Sequence, residues 1–271
     1  MSRVLIIIPA YNAERTIRQC LEAIFVQTYR DFEVVVVNDG STDNTLAVVD
    51  DTISRLRNRE IFLKVITQKN QGAQVARNRG WQELAQSTIH DTRYTRYTIF
   101  CDADIVLQKD CIEKMVSALE KHPEASYAYT SFKFGWKIFK LWSFDAERLQ
   151  KMPYIHTTSL IRYSALKDLL SDDIIYLRSQ INDVQTARDI VRGPFDQSIK
   201  RLQDWDLWLT MLGQGHTGVW VPEILFQVIS TQGTMSKWLP SFVYKLPFME
   251  SVKKYNEAVN IIKQKHKILQ Y

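Results

Sequence analysis

The sequence predicts an α/β fold, a mostly parallel sheet with helices on both faces, and three observations predict it. Four short apolar runs rich in β-branched residues alternate with segments whose apolar residues recur at helical spacing. Three of the runs break into polar or turn-forming residues: Pro9-Ala10-Tyr11-Asn12, Asn38-Asp39-Gly40-Ser41 and Asp102-Ala103-Asp104. The 271 residues, 45% hydrophobic and 24% charged, suffice for one large α/β domain. Parallel strands need a crossover, which a helix supplies, so alternation of strand and helix reads as a parallel sheet.

The elements follow in order. Val4 to Ile8 has the composition of a strand buried on both faces, and Pro9-Ala10-Tyr11-Asn12 is expected to break it. Ile17, Cys20, Leu21, Ile24 and Phe25 then share one helical face. Glu33 to Val37 is a second buried strand. Ser41 is placed to cap the next helix, whose inner face is Leu46, Val49, Ile53 and Leu56. Ile61 to Ile66 is a third strand, and Gln71-Gly72 leads into a helix from Ala73 to Ala85. Tyr97 to Cys101 is the fourth strand and delivers the acidic triplet. Further on, Ile112 to Leu119 reads as a helix and Ser126 to Phe132 as a strand. Phe132 to Phe144 is rich in aromatics and lysine, and His156 to Arg162 is another short strand. Asp168 to Arg192 is polar, Asp204 to Leu212 is helical, and two strands flank Pro222.

The charge is uneven. From Lys237 to Tyr271 seven lysines face two acids, Glu250 and Glu257, so this segment carries the whole formal charge of +5. A basic, aromatic tail suits an anionic partner, above all a membrane surface. Its apolar anchors are Trp238, Leu239, Phe242, Tyr244, Leu246, Phe248 and Met249. The alternative is a terminal helix with a solvated face. Cys20, Cys101 and Cys111 lie in apolar patterns without a CxxC pair, as buried reduced thiols of a cytosolic protein do. No apolar run approaches the length of a membrane span, and the first is too short for a signal sequence.

The acidic triplet carries the chemistry. Side chains at i and i+2 on extended backbone project to one side, which brings Asp102 and Asp104 together. Converging carboxylates repel, and a cation beside them relieves the repulsion. A hard divalent cation takes oxygen ligands and leaves positions open for phosphate oxygens. An isolated triplet of this kind is more often a solvated turn. Here it ends a strand of a parallel sheet, where such sheets bind ligands.

The stretch Ile7 to Asn12, then Asn38-Asp39-Gly40-Ser41-Thr42-Asp43, Ala76-Arg77-Asn78-Arg79-Gly80 and Asp102-Ala103-Asp104 resembles family 2 glycosyltransferases of the GT-A fold. Pro194-Phe195-Asp196 and Gln203-Asp204-Trp205-Asp206-Leu207-Trp208 resemble the family's acceptor-side segment. The resemblance implies a Rossmann-like GT-A domain over 1–236, with a nucleotide-binding half at 1–104 and an acceptor-binding half at 105–236. A basic amphipathic extension follows at 237–271. It implies an inverting transfer of a sugar from a nucleotide-diphosphate donor, a UDP-sugar, to a hydroxyl of a cell-envelope glycan or lipid-linked saccharide. The donor would be bordered by Pro9, Tyr11, Asp39, Arg77 and Asp102. Tyr11 would stack on the base and Asp39 would accept its N–H. Asp104, with Asp102, would hold Mn²⁺ or Mg²⁺. Asp204 would be the base, with Asp206 the runner-up. Trp205 and Trp208 read as core or pocket wall.

Two departures from the family stand out. Gln203 precedes Asp204 where relatives carry glutamate, and Phe226-Gln227-Val228-Ile229 lacks the histidine that relatives place there. His156 lies in a segment that lines the acceptor side in relatives, although a lone histidine is more often structural. The expected setting is cytoplasmic, peripheral at the inner face of a membrane through 237–271, with no nucleic-acid partner. A nucleotidyltransferase is disfavoured because Pro9-Ala10-Tyr11-Asn12 has no glycine for a triphosphate loop. A catalytically silent nucleotide-sugar-binding protein would fit Gln203 and Ile229.

Overall fold

The computed structural model of the chain describes residues 3–56, 62–86, 95–169, 193–229 and 250–268. The first half runs β1 (Arg3–Ala10), α1 (Ile17–Phe25), β2 (Phe32–Asn38), α2 (Thr45–Leu56), β3 (Phe62–Thr67), α3 (Ala73–Gln86) and β4 (Thr95–Phe100). Then come β5 (Ile105–Leu107), α4 (Cys111–Lys121), β6 (Tyr127–Phe134), β7 (Lys137–Phe139), α5 (Ala146–Lys151), β8 (Leu160–Arg162) and α6 (Tyr163–Asp168). The last described elements are α7 (Gln203–Gly213), β9 (Gly218–Val228) and α8 (Glu250–Lys265).

One sheet runs in the order β3-β2-β1-β4-β8-β6-β9-β5, with β7 beside β6. Strands β1 to β4 are mutually parallel, as their helical crossovers require. β8 turns antiparallel to β4 and β6, β6 and β9 run parallel, and β5 returns antiparallel to β9. The core sits along β1 and β2, where Val4, Ile6, Ile7, Ile8, Val34, Val36 and Val37 are fully buried. Helix α3 lies close on these strands because Gly80 has no side chain. A Cβ there would meet Ile7 Cγ2 at 2.6 Å.

Three local expectations are corrected. Pro9 lies inside β1, opposite Val37. Pairing of β1 with β4 stops at Ile7 and Phe100, so no ladder partner awaits the proline's missing N–H on that side. Ser41 does not cap α2. The helix starts at Thr45, whose N–H and hydroxyl donate to Asp43 Oδ1 at 3.0 and 2.5 Å. Ser41 Oγ instead accepts from the Asn12 N–H at 3.1 Å. Finally, Pro222 does not divide two strands. β9 is continuous, and a register shift opposite Thr130 and Ser131 absorbs the proline.

Helix α7 is pinned by its tryptophans. Trp205 Nε1 donates to Leu149 O at 2.6 Å and Trp208 Nε1 to Ile155 O at 2.9 Å, and both rings are buried. The far side of α7 is held by α8. Lys265 Nζ donates to Asp206 Oδ2 and Asp196 Oδ2, both at 2.8 Å, and His266 Nε2 lies 2.8 Å from Asp206 Oδ1. Val252 and Ile262 of α8 are fully buried. Lys265, though exposed, thus ties α8 to the fold, and Lys253, Lys254 and Lys267 are exposed as well. The anchors Trp238 to Met249 and most of Asp168 to Arg192 lie outside the described residues. Asp206→Ala should cost about 1–3 kcal/mol of stability, because it removes the buried acceptor that both Lys265 and His266 engage. Urea unfolding reads this loss. An unchanged midpoint would mean that the α8 contact contributes nothing.

Candidate active site

The acidic triplet is a turn. β4 ends at Phe100, and the Ile105 N–H donates to Asp102 O at 3.0 Å. The two carboxylates therefore meet across a tight turn with Ala103 buried beneath it, not through strand alternation as the sequence suggested. The turn is fastened to the end of β9, where the Ile229 N–H donates to Asp104 O at 2.8 Å. Burial first, then the charge of Asp102, pushes the Asp104 carboxyl up to about 7, with Arg77 pulling the other way.

Arg77 is the hub. Its guanidinium is buried, with Nη2 donating to Asp102 Oδ1 at 2.5 Å and Nη1 to Gln203 Oε1 at 2.6 Å. Gln203 Nε2 continues the chain to Gln74 Oε1 at 2.9 Å. The Phe195 ring lies 5.2 Å from the guanidinium carbon, and the adjacent Asn78 side chain clamps the Phe195 backbone by accepting at 3.0 Å and donating at 2.7 Å. Arg77, Asn78 and Gly80 of one helical motif thus reach the site, pin the 193–199 segment and allow close packing. Arg79 is only partly buried and no hydrogen bond ties it to this network.

The loops after β1, β2 and β3 are laced together. The Ala13 N–H donates to Thr45 Oγ1 at 2.8 Å, and Asn12 Oδ1 accepts from the Thr42 N–H at 2.8 Å with Asn12 at φ +49°. This leaves Tyr11 50% exposed, open to stacking. Asp39 is 2% exposed and already accepts from Gln68 Nε2 (2.8 Å), the Gln71 N–H (2.9 Å) and the Gly72 N–H (2.8 Å). It organises the entry to α3 whatever else it binds. Pro9 is buried in β1 and offers no exposed side chain.

Asp204 opens α7, one helical turn before Trp208 and on the same face. Trp208 bonds to Ile155, which places the next residue, His156, beside Asp204. The His156 ring also lies 5.2 Å from Phe132 and 5.1 Å from Phe226. Its Nδ1 accepts from the Thr158 N–H at 3.0 Å, so Nε2 carries the proton. Burial holds its pKa below the ordinary value, against the pull of Asp102 and Asp204. Burial likewise pushes the Asp204 carboxyl up, against His156, the Trp205 N–H and Arg77. Asp206, the runner-up base, is 2% exposed and engaged at both oxygens by α8. Sequence reasoning left His156 as more often structural and did not anticipate the Gln203 bridge. The one available signal for Gln203 was its place next to Asp204.

Among the described residues no group of three or more His, Cys, Asp or Glu is set to enclose a metal ion by itself. The Asp102–Asp104 turn nevertheless fits one side of a hard cation. Two carboxylates on one turn supply the oxygen donors such a cation takes, and ligand oxygens would have to complete the shell. No histidine joins it from 226–229.

A mixed sheet whose first four parallel strands end in a laced set of loops and an acidic turn defines the GT-A class of architecture. The chain belongs to glycosyl transferase family 2, whose pattern matches residues 5–184. TuaG of Bacillus subtilis (strain 168), provisionally assigned as a teichuronic acid biosynthesis glycosyltransferase, is 29% identical over 250 residues, 89% of this chain and 87% of TuaG. The amylovoran biosynthesis glycosyltransferase AmsE of Erwinia amylovora is 23% identical over 86% of this chain and 78% of its own length. A match to the glycosyltransferase GlyA of Streptococcus pneumoniae, 31% identical, spans 44% of this chain but only 15% of GlyA. Among solved structures, S. aureus TarS 1-349 in complex with UDP-GlcNAc superposes with a TM-score of 0.63 at 19% identity, covering 98% of this chain and 72% of that one. The mannosyltransferase PcManGT of Pyrobaculum calidifontis, in complex with GDP-Man and Mn²⁺, gives 0.60 at 19% identity, over 85% of this chain and 58% of that one.

Proposed function

We propose that the chain is an inverting glycosyltransferase that moves a sugar from a UDP-sugar to a hydroxyl of a cell-envelope glycan or lipid-linked saccharide. One observation carries the reading. A single buried guanidinium, Arg77, bonds to Asp102 on the acidic turn and to Gln203 beside Asp204, so one side chain ties the two carboxylate sites together. Tyr11 stacks on the base, the Asp39 loop receives its polar edge, and Arg77 with Asp102 fixes the ribose and diphosphate end. Asp204 takes the proton of the acceptor hydroxyl as its oxygen attacks the anomeric carbon and the bond to the diphosphate breaks. With one base and no protein nucleophile, an α-linked donor gives a β-linked product. Mn²⁺ or Mg²⁺ held by Asp104 and Asp102 would supply positive charge for the departing diphosphate. The setting is cytoplasmic, with the acceptor met at a membrane face. The described part of 237–271 contributes Lys253, Lys254 and Lys267 to that contact.

UDP release from a panel of UDP-sugars with Mn²⁺, run beside thermal shifts, tests this. Turnover above a heat-inactivated control is the expected result. Stabilisation without release identifies a silent nucleotide-sugar binder, the reading that Gln203 in place of glutamate favours. No response to any nucleotide sugar removes both.

A further inference from the structure

The β6–β7 hairpin ends in a surface that the transferase reading does not use. Gly135 and Trp136 form its two-residue turn, with Gly135 at φ +55°, a position that favours glycine. Trp136 is 90% exposed and Ile138 is 52% exposed. Lys133 lies opposite Ile138 across the ladder, and Lys133 and Lys140 are exposed on the same outward face. From Phe132 to Phe144 there are three lysines and no acid. The tip is not loose, since the Gly135 N–H donates to Val228 O at 3.2 Å. The inward face is a ring stack: Phe139 on Phe132 at 4.9 Å, Phe132 on Phe226 at 5.1 Å, and His156 against both Phe132 and Phe226.

We propose that this hairpin tip docks on an anionic lipid bilayer. An indole at the end of a rigid hairpin suits the headgroup layer, where an amphipathic ring keeps its apolar body in and its N–H wet. The flanking lysines match the negative surface, and no acid on the hairpin opposes them. The ring stack joins the hairpin to His156 beside Asp204, so a docked tip would hold the site near the membrane. The docking stands without the transferase reading. Its consequence, that the acceptor hydroxyl belongs to a membrane-borne saccharide, rests on that reading.

Flotation of the full chain with phosphatidylcholine–phosphatidylglycerol vesicles tests the docking. The wild type should float at low salt, stay behind at high salt and ignore pure phosphatidylcholine. W136S/I138S should abolish flotation while thermal midpoint and UDP binding hold. K133Q/K140Q should weaken partitioning by about thirtyfold. Two results would overturn the proposal: a wild type that ignores anionic vesicles, or a W136S/I138S variant that floats as well as the wild type. A wild-type dimer that W136S/I138S splits, with no vesicle binding, would assign the patch to a second copy instead. Absent UDP binding in a chain that still floats would sink the transferase reading and leave the docking intact.

Discussion

Asp204→Asn should retain UDP binding and lose transfer by about 10²-fold or more, the usual scale of a lost general base. Asparagine has the same shape, and its carbonyl still accepts from the Trp205 N–H, which Asp204 Oδ1 binds at 2.9 Å. The helix start, the two tryptophan anchors and the Gln203 bridge are therefore expected to persist. What is removed is a carboxylate whose proton affinity burial has raised. A base must be ionised to accept a proton, so the rate falls as pH drops through that pKa. The acid limb of the wild-type profile should accordingly lie above the range of an exposed aspartate. Asp206→Asn is the discriminating partner. Its carboxylate faces Lys265 and His266, so the variant should melt earlier while a folded sample keeps most of its turnover. Full activity in Asp204→Asn, measured as UDP release in the same assay, would remove Asp204 from the mechanism.

Asp104→Ala should weaken UDP binding by about 10²-fold, a few kcal/mol of lost charge stabilisation at the diphosphate. The argument is electrostatic. Asp104 sits half-buried beside Asp102, and burial first, then the Asp102 charge, raises its carboxyl to about 7. Arg77 bonds Asp102 directly, at 2.5 Å, and leaves Asp104 as the carboxylate for the proposed cation. Chelation of the wild type should reproduce the loss, and chelation of the variant should add little to it. Calorimetry with UDP, with and without Mn²⁺, measures all four combinations. Equal affinities throughout would leave the carboxylate without a metal role.

Much of the nucleotide half was legible in the sequence. The strands from Val4 and Glu33 are near-continuous β-branched runs and the one from Tyr97 is a short apolar run, as strands of a sheet buried on both faces are. The loops that follow carry their own signals in proline, glycine and aspartate, because turn chemistry is local. The boundaries missed were those where a distant partner overrules a local preference. Pro9 stays in β1 because β4 has already stopped pairing, and Ser41 yields the helix start to Thr45 because Asn12 claims its hydroxyl. The second half was less legible. Its strands join through mixed pairings, and β9 continues across Pro222 only because β6 shifts register beside it.

The sequence by itself determined which residue types stand at the ends of the parallel strands, and in what order: tyrosine after β1, aspartate after β2, the acidic pair after β4 and Asp204 at a helix start. Those assignments follow from hydrophobic period and turn chemistry, which act over a few residues. The tertiary structure alone decided what each side chain does with its charge. Arg77 became a bridge because folding brought Gln203, 126 residues away, within a hydrogen bond. Asp206 became an anchor because α8 delivers Lys265 and His266 to it from 59 and 60 residues further along. His156 came to Asp204 through an indole bond to its neighbour, and Trp136 was left facing outward by a two-residue turn. Such pairings depend on packing in three dimensions, and no local pattern in the chain encodes them.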